Sequence, residues 1–267
     1  MNPISFMTAN YVARQVNYNM TDWGHGQNAV EAYFRPLETY AERLGVMLDE
    51  ICQMGFDHID LWLAHLHPAW ATEEHIALAR KALAQRGLKV SSLAGGFGES
   101  PAELEHCCQL AQAFDTRILG GMAGILAKDR AATVRVLQQY GAVLAIENHP
   151  EKTPAEVLAQ IGDGGQGTIA TCVDTGIWGI HGYNAATAIE ELAPYVVHVH
   201  LKDVLSVGSH DSCRYGRGIV PLERCVSLLL EKGYQGGFSV EHEPHNYDPR
   251  EDVQASFEML KGWLGRK

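Results

Sequence analysis

The chain has 267 residues, 46% of them hydrophobic and 20% charged, with a formal net charge of −11. That length and apolar content suffice for one large core, so a single domain over 1–267 is the default expectation. The acidic balance and the scattered Lys and Arg argue against a nucleic-acid partner, and no apolar run reaches the ~18 residues needed to cross a bilayer.

Taken in chain order, short apolar runs alternate with amphipathic stretches, the pattern of repeated βα units on a parallel sheet. The strand expectations are 4–12, 58–64, 89–95, 116–121, 143–148, 168–174, 195–202 and 237–243. Helices are expected near 37–54, 72–86, 100–113, 127–140, 154–161, 184–193, 221–232 and 250–264. Thr72, Ser100-Pro101, Thr153-Pro154 and Asp248-Pro249 supply start signals, and Gly55, Gly87 and Gly233 supply stops. Eight such units without a break in composition predict an α/β fold of the closed (β/α)8 TIM barrel type. No G-x-G-x-x-G follows the first strand, which weakens a dinucleotide-binding sheet. The segment 17–36, "NYNMTDWGHGQNAVEAYFRP", reads as a long loop over the barrel mouth.

The start "MNPISFMTAN" lacks the basic and apolar parts of a signal peptide, so the expected location is cytoplasmic, with no membrane partner. The cysteines (Cys52, Cys107, Cys108, Cys172, Cys213 and Cys225) form no C-x-x-C pair, and reduced thiols are expected.

The last four strands each end in a carboxylate or imidazole: Glu147, Asp174, His200 and Glu241. Strand side chains alternate between faces, so Ala145, Cys172, His198 and Ser239 share the face of these end residues. Leu144, Ile146, Val173, Val199, Phe238 and Val240 form the opposite, bulkier face, suited to packing on helices. The four polar ends then point inward at the C-terminal mouth. Any one alone reads as a strand end or a salt bridge to a loop, but four at the same position of consecutive units read as a site. Converging carboxylates repel, and a divalent ion relieves that repulsion. Oxygen donors with one imidazole suit Mn²⁺, Mg²⁺ or Co²⁺, with Zn²⁺ also compatible.

With "AIENHP", "CVDTG", "HVHLKD" and "SVEHEP" in that order, the chain resembles the xylose-isomerase-like barrel superfamily, in particular its sugar phosphate isomerase/epimerase group. That resemblance implies that Glu147, Asp174, His200 and Glu241 hold one divalent metal, Mn²⁺ being the first expectation. It implies that Glu147 and Glu241 are also the catalytic acid/base pair on opposite sides of a sugar substrate. It carries the further expectation of a homodimer or homotetramer. Two positions depart from the ketose epimerases of the group: Ile177 stands three residues after the aspartate where they have histidine, and Ser206 six residues after the metal-binding histidine where they have arginine. His181 and either Arg214 or Arg217, in "CRYGRG", are the candidate replacements.

Other substrate-binding candidates are His65 and His67 in "WLAHLHPAW", Lys202 in "HLKD", and Trp23 and Trp178 as pocket walls. The competing roles are backbone hydrogen bonding for the histidines, pairing with Asp203 or one of the glutamates for Lys202, and packing for the tryptophans. His198 reads as packed behind the site, and His149 and His242 as less favoured. The expected activity is a metal-dependent isomerase or epimerase of a sugar. A lyase or dehydratase on a keto-sugar is second, because removal of a proton beside a carbonyl serves both. A metal-dependent endonuclease and a non-catalytic sugar-binding protein are the remaining alternatives.

Overall fold

The structure is a computed structural model and describes residues 2–265. Its eight parallel barrel strands are β1 (Ile4–Met7), β2 (His58–Trp62), β3 (Lys89–Gly96), β4 (Ile118–Met122), β5 (Val143–Glu147), β6 (Ile169–Asp174), β7 (Val196–Leu201) and β8 (Gly237–Val240). They close in sequential order, with β1 pairing both β2 and β8. The expected TIM barrel is therefore observed.

The alternation of faces explains the closure. Leu144, Ile146, Val173, Val199, Phe238 and Val240 belong to the large apolar cluster beneath the helices. On the inner face small residues make room: a Cβ on Gly120 would lie 3.7 Å from Cys172 Sγ and 3.8 Å from His200 Nε2. Parallel register places Asp174 beside His200 and His200 beside Ser239, so neighbouring strands deliver their polar ends to one level.

The helix signals act as expected in several places. Thr72 forms a reciprocal capping box with His75, Ser100 accepts from the amide of Glu103, and Gly87 ends the Glu73–Arg86 helix in the left-handed region. The helix expected over 127–140 is interrupted at Asp129, whose carboxylate caps a new start at Arg130. The first strand stops at Met7 rather than continuing to residue 12. Thr8–Tyr11 form a 3-10 turn, and the Thr8 hydroxyl accepts from the amide of Trp62 at 2.8 Å.

Segment 17–36 is not a plain loop. Asp22 caps a helix over Trp23–Phe34, its Oδ1 accepting from the amide of His25 at 2.9 Å. Gly24 and Gly26 hide this helix from propensity-based reading. Gly26 is nevertheless required by packing: a Cβ there would lie 2.9 Å from the carbonyl oxygen of Val12 and would collide with Met20. Buried Val30 and Phe34 anchor the helix, and Trp23 is left at the barrel mouth.

Candidate active site

Glu147 and Asp174 are the last residues of β5 and β6, His200 is the penultimate residue of β7, and Glu241 lies one residue beyond β8. His200 Nδ1 is 2.7 Å from Glu147 Oε1 and 3.3 Å from Glu241 Oε2. Lys202 Nζ is 2.5 Å from Glu241 Oε1, 3.0 Å from Glu243 Oε2 and 3.2 Å from Asp174 Oδ2. Four carboxylates thus meet an imidazole and an ammonium at the mouth.

Two buried asparagines set this geometry by bridging backbone segments. Asn148 donates to the carbonyl of Asp174 and accepts from its amide, both at 2.8 Å. Asn10 donates to the carbonyl of Val240 at 3.0 Å and accepts from the amide of His242 at 2.8 Å, so Glu241 is held on both sides. Thr175 does the same for Lys202: its hydroxyl lies 2.9 Å from both the amide and the carbonyl oxygen of that residue. Glu241 also donates its own amide to the carbonyl of Leu201 at 3.0 Å, which extends the pairing beyond β8.

Burial and charge compete throughout. Burial opposes a charge on His200, but Cys172, Glu147 and Glu241 outweigh it and hold the ring well above the ordinary imidazole range. Burial likewise opposes the Lys202 ammonium, which Asp174, Glu241 and Glu243 stabilise. Burial pushes Glu243 up to about 8, against the pull of Lys202. Asp174 is also raised by burial, partly offset by Lys202. These are the shifts expected where carboxylates outnumber local cations.

A cavity of about 760 Å³ opens above these groups, with Glu147, Asp174, His200, Lys202, Glu241 and Glu243 in its wall. Trp23, Trp62, Met7, Met122, Ile177 and Ile180 supply an apolar side, and His67, His149, His210 and His245 supply polar edges. A cleft of about 890 Å³ at the other end of the barrel, beside His58, Lys89 and Gly237, contains none of the converging carboxylates.

The structure therefore brings Trp23, His67 and Lys202 to the cavity with the four strand-end residues, but places other expected substrate contacts elsewhere. His65 is buried, 3.3 Å from Thr8 Oγ1 and edge-on to Phe34, because β2 turns into a 3-10 segment that tucks it under the Trp23–Phe34 helix. Trp178 is fully buried in the short helix capped by Asp174 and packs against Tyr183. Arg214 and Arg217 do not line the cavity. Asp203 accepts from the amides of Gly216, Gly218 and Val220 at 3.0 to 3.1 Å and ties down the backbone of their loop. His181 lies outside the cavity wall too.

Glu243, His210 and His245, which are not among the residues expected from the sequence, also line the cavity, as does the less favoured His149. Glu243 carried a legible signal, since it follows Glu241 by the strand period of two. Asp60 was also missed. It is a carboxylate in the middle of the apolar strand "HIDLW", fully buried, with Oδ2 2.6 Å from His198 Nε2. Burial opposes ionisation of Asp60, but His198 and His200 outweigh it and lower its pKa.

The donor set fits a divalent cation. Ligand atoms of Glu147, His200 and Glu241 lie within 4.8 Å of one another, and Glu241 Oε2 is buried without a hydrogen-bond partner among the described residues. Asp174 stands beside this group with one oxygen committed to the amides of Gly176 and Ile177 and the other to Lys202. A second group, Asp60, His198 and His200, shares the same imidazole from the barrel interior.

Among solved structures, the chain is similar to a xylose isomerase-like TIM barrel protein from Mycobacterium smegmatis in complex with magnesium (20% identity, TM-score 0.72, covering 99% of this chain and 97% of that one). It is similar to an L-ribulose 3-epimerase (18% identity, TM-score 0.72, 99% and 95% covered). It also resembles the 3-keto-D-glucoside 4-epimerase from E. coli (18% identity, TM-score 0.67, 98% and 100% covered). No curated protein matches the sequence at a significant level. Residues 48–263 match the family model for the xylose isomerase-like TIM barrel, and the chain belongs to that family.

Proposed function

We propose that this protein is a divalent-metal-dependent isomerase or epimerase of a sugar or keto-sugar, acting by proton transfer beside a carbonyl. The observation that carries the reading is the placing of Glu147 and Glu241 around one nitrogen of His200, at 2.7 Å and 3.3 Å, on the wall of the mouth cavity. Glu147, Asp174, His200 and Glu241 would hold the ion. An ion held there would supply Lewis-acid polarisation of a substrate carbonyl, easing loss of the neighbouring proton. Mn²⁺ is the proposed metal on the strength of the oxygen-rich donor set, with Mg²⁺, Co²⁺ and Zn²⁺ as the alternatives to assay.

The protein's own groups account for the proton movements. One glutamate of the pair takes the proton from the carbon beside the carbonyl, and the other returns a proton from the opposite side. Lys202 holds Glu241 through Oε1. It also offers its ammonium to developing negative charge. His67, His149, His210 and His245 present ring nitrogens to substrate hydroxyls, while Trp23 and Trp62 form an apolar wall against which a sugar face packs.

Incubation with a panel of ketopentoses, ketohexoses and 3-keto-glucosides in the presence of Mn²⁺ tests the reaction class. An isomerase or epimerase returns a product of unchanged mass. Loss of water would instead identify a dehydratase built on the same proton abstraction.

A further inference from the structure

His200 is the one imidazole common to both candidate cation-binding groups, and its two nitrogens face different surroundings. Nδ1 faces Glu147 and Glu241 at the cavity. Nε2 faces the packed interior, where a Cβ on Gly120 would lie only 3.8 Å away and where Asp60 Oδ2 stands at 3.6 Å. Nε2 itself is buried and has no hydrogen-bond partner among the described residues. Asp60 is fully buried and tethered by His198, whose Nε2 lies 2.6 Å from the same oxygen. The rings of His198 and His200 stand nearly perpendicular, at 87°, with centroids 5.5 Å apart.

A neutral imidazole carries one proton on one of its nitrogens, so the group facing each nitrogen chooses the tautomer. Glu147 stands nearer to Nδ1 than Asp60 does to Nε2, but an ion held by Glu147 and Glu241 would take the Nδ1 lone pair. The carboxylate beside Nε2 then stabilises the N–H there, the arrangement in which an outer carboxylate orients a metal-binding histidine. We infer that Asp60 is a positioning residue that fixes His200 with its proton on Nε2, so that Nδ1 is the nitrogen offered to the metal and the Asp60, His198 and His200 group is a support rather than a second metal site. His198 has the complementary task of holding Asp60 under the ring. The inference rests on the metal-binding reading of the mouth and adds to it which nitrogen binds and what selects it.

The test uses protein labelled with ¹⁵N-histidine, stripped of metal and reloaded with diamagnetic Zn²⁺, its His200 signals assigned through a His200→Gln variant. Two-bond ¹H–¹⁵N spectra report which ring nitrogen carries the proton. In parallel, Mn²⁺ affinity is measured by competition with a chelating indicator for the wild type and for Asp60→Asn. The expected results are a proton on Nε2 of His200 in the loaded wild type and an affinity for Mn²⁺ about 10- to 100-fold weaker in folded Asp60→Asn. A proton on Nδ1 in the loaded wild type would overturn the inference even if Asp60→Asn does not fold. So would a folded Asp60→Asn with unchanged Mn²⁺ affinity, whatever its His200 signals. A wild type that binds no metal removes the metal-binding reading and this inference together, whereas tight binding shared equally by wild type and variant removes the inference alone.

Discussion

Glu147 and His200 are 53 positions apart in the chain, yet Glu147 Oε1 and His200 Nδ1 meet at 2.7 Å at the barrel mouth. Closure of the sheet brings them together, since β5 and β7 are separated only by β6. Glu147→Gln keeps the size of the side chain and one carbonyl oxygen but removes its capacity to take up a proton. The expected outcome is retention of part of the Mn²⁺ affinity with turnover lowered by roughly 10²- to 10⁴-fold. Metal titration and steady-state kinetics on the same preparation separate the two effects.

Trp23 is 39% exposed, and its ring centroid stands 5.5 Å from that of Trp62 across the mouth. Removal of an aromatic wall that contacts substrate weakens binding by about 0.5–1.5 kcal/mol, a factor of roughly 2 to 12. Trp23→Ala is expected to raise KM in that range with little change in kcat. An unchanged KM on the preferred ketose would remove Trp23 from the substrate site.

Trp178 obeys different physics because it is fully buried. Trp178→Ala is expected to lower unfolding stability by about 3–5 kcal/mol through the cavity it leaves. Trp23→Ala, lying at the surface, is expected to cost less than about 1 kcal/mol. Urea unfolding of both variants checks the contrast.

His65 predicts a specific acid sensitivity. Burial pushes its pKa down from the ordinary 6.5 to about 3, so the folded ring stays neutral where the unfolded ring becomes protonated. The contribution is fully present above about pH 6.5. It is lost as pH falls toward 3, at up to about 1.4 kcal/mol per pH unit, because there the unfolded state binds the additional proton. His65→Asn is expected to show a shallower decline in urea stability between pH 6.5 and 4. Parallel declines in wild type and variant would contradict the assignment.

These residues also show what sequence can and cannot carry. Glu147, Asp174, His200 and Glu241 were legible because strand periodicity and parallel register are local rules that repeat from unit to unit. His65 and His67 were indistinguishable by the same rules. Only the turn after β2, which depends on the Thr8 hydroxyl and on the packing of Phe34, sends one ring inward and leaves the other at the mouth. Arg214 and Arg217 looked suited to a substrate because a long loop gives no direction. The backbone of that loop is fixed at Gly216 and Gly218 by the carboxylate of Asp203, a neighbour in space that the local pattern does not reveal, and neither arginine lines the cavity. The Trp23–Phe34 helix was hidden because Gly26 is dictated by its contact with Val12 and Met20, against helix propensity.

In the proposed reaction Glu147 and Glu241 move a carbon-bound proton with the help of a divalent ion. The most direct measurement is deuterium incorporation from D₂O into a panel of ketoses including L-ribulose, read by mass spectrometry and proton NMR. Metal-stripped wild type, Mn²⁺-loaded wild type, Glu147→Gln and Glu241→Gln are compared. The expected result is that the Mn²⁺-loaded wild type converts at least one ketose to a product carrying deuterium on the carbon beside the carbonyl, and that metal removal or either substitution lowers formation of that deuterated product at least about 100-fold. Formation of the deuterated product at the wild-type rate without metal, or in either glutamine variant, would contradict this mechanism.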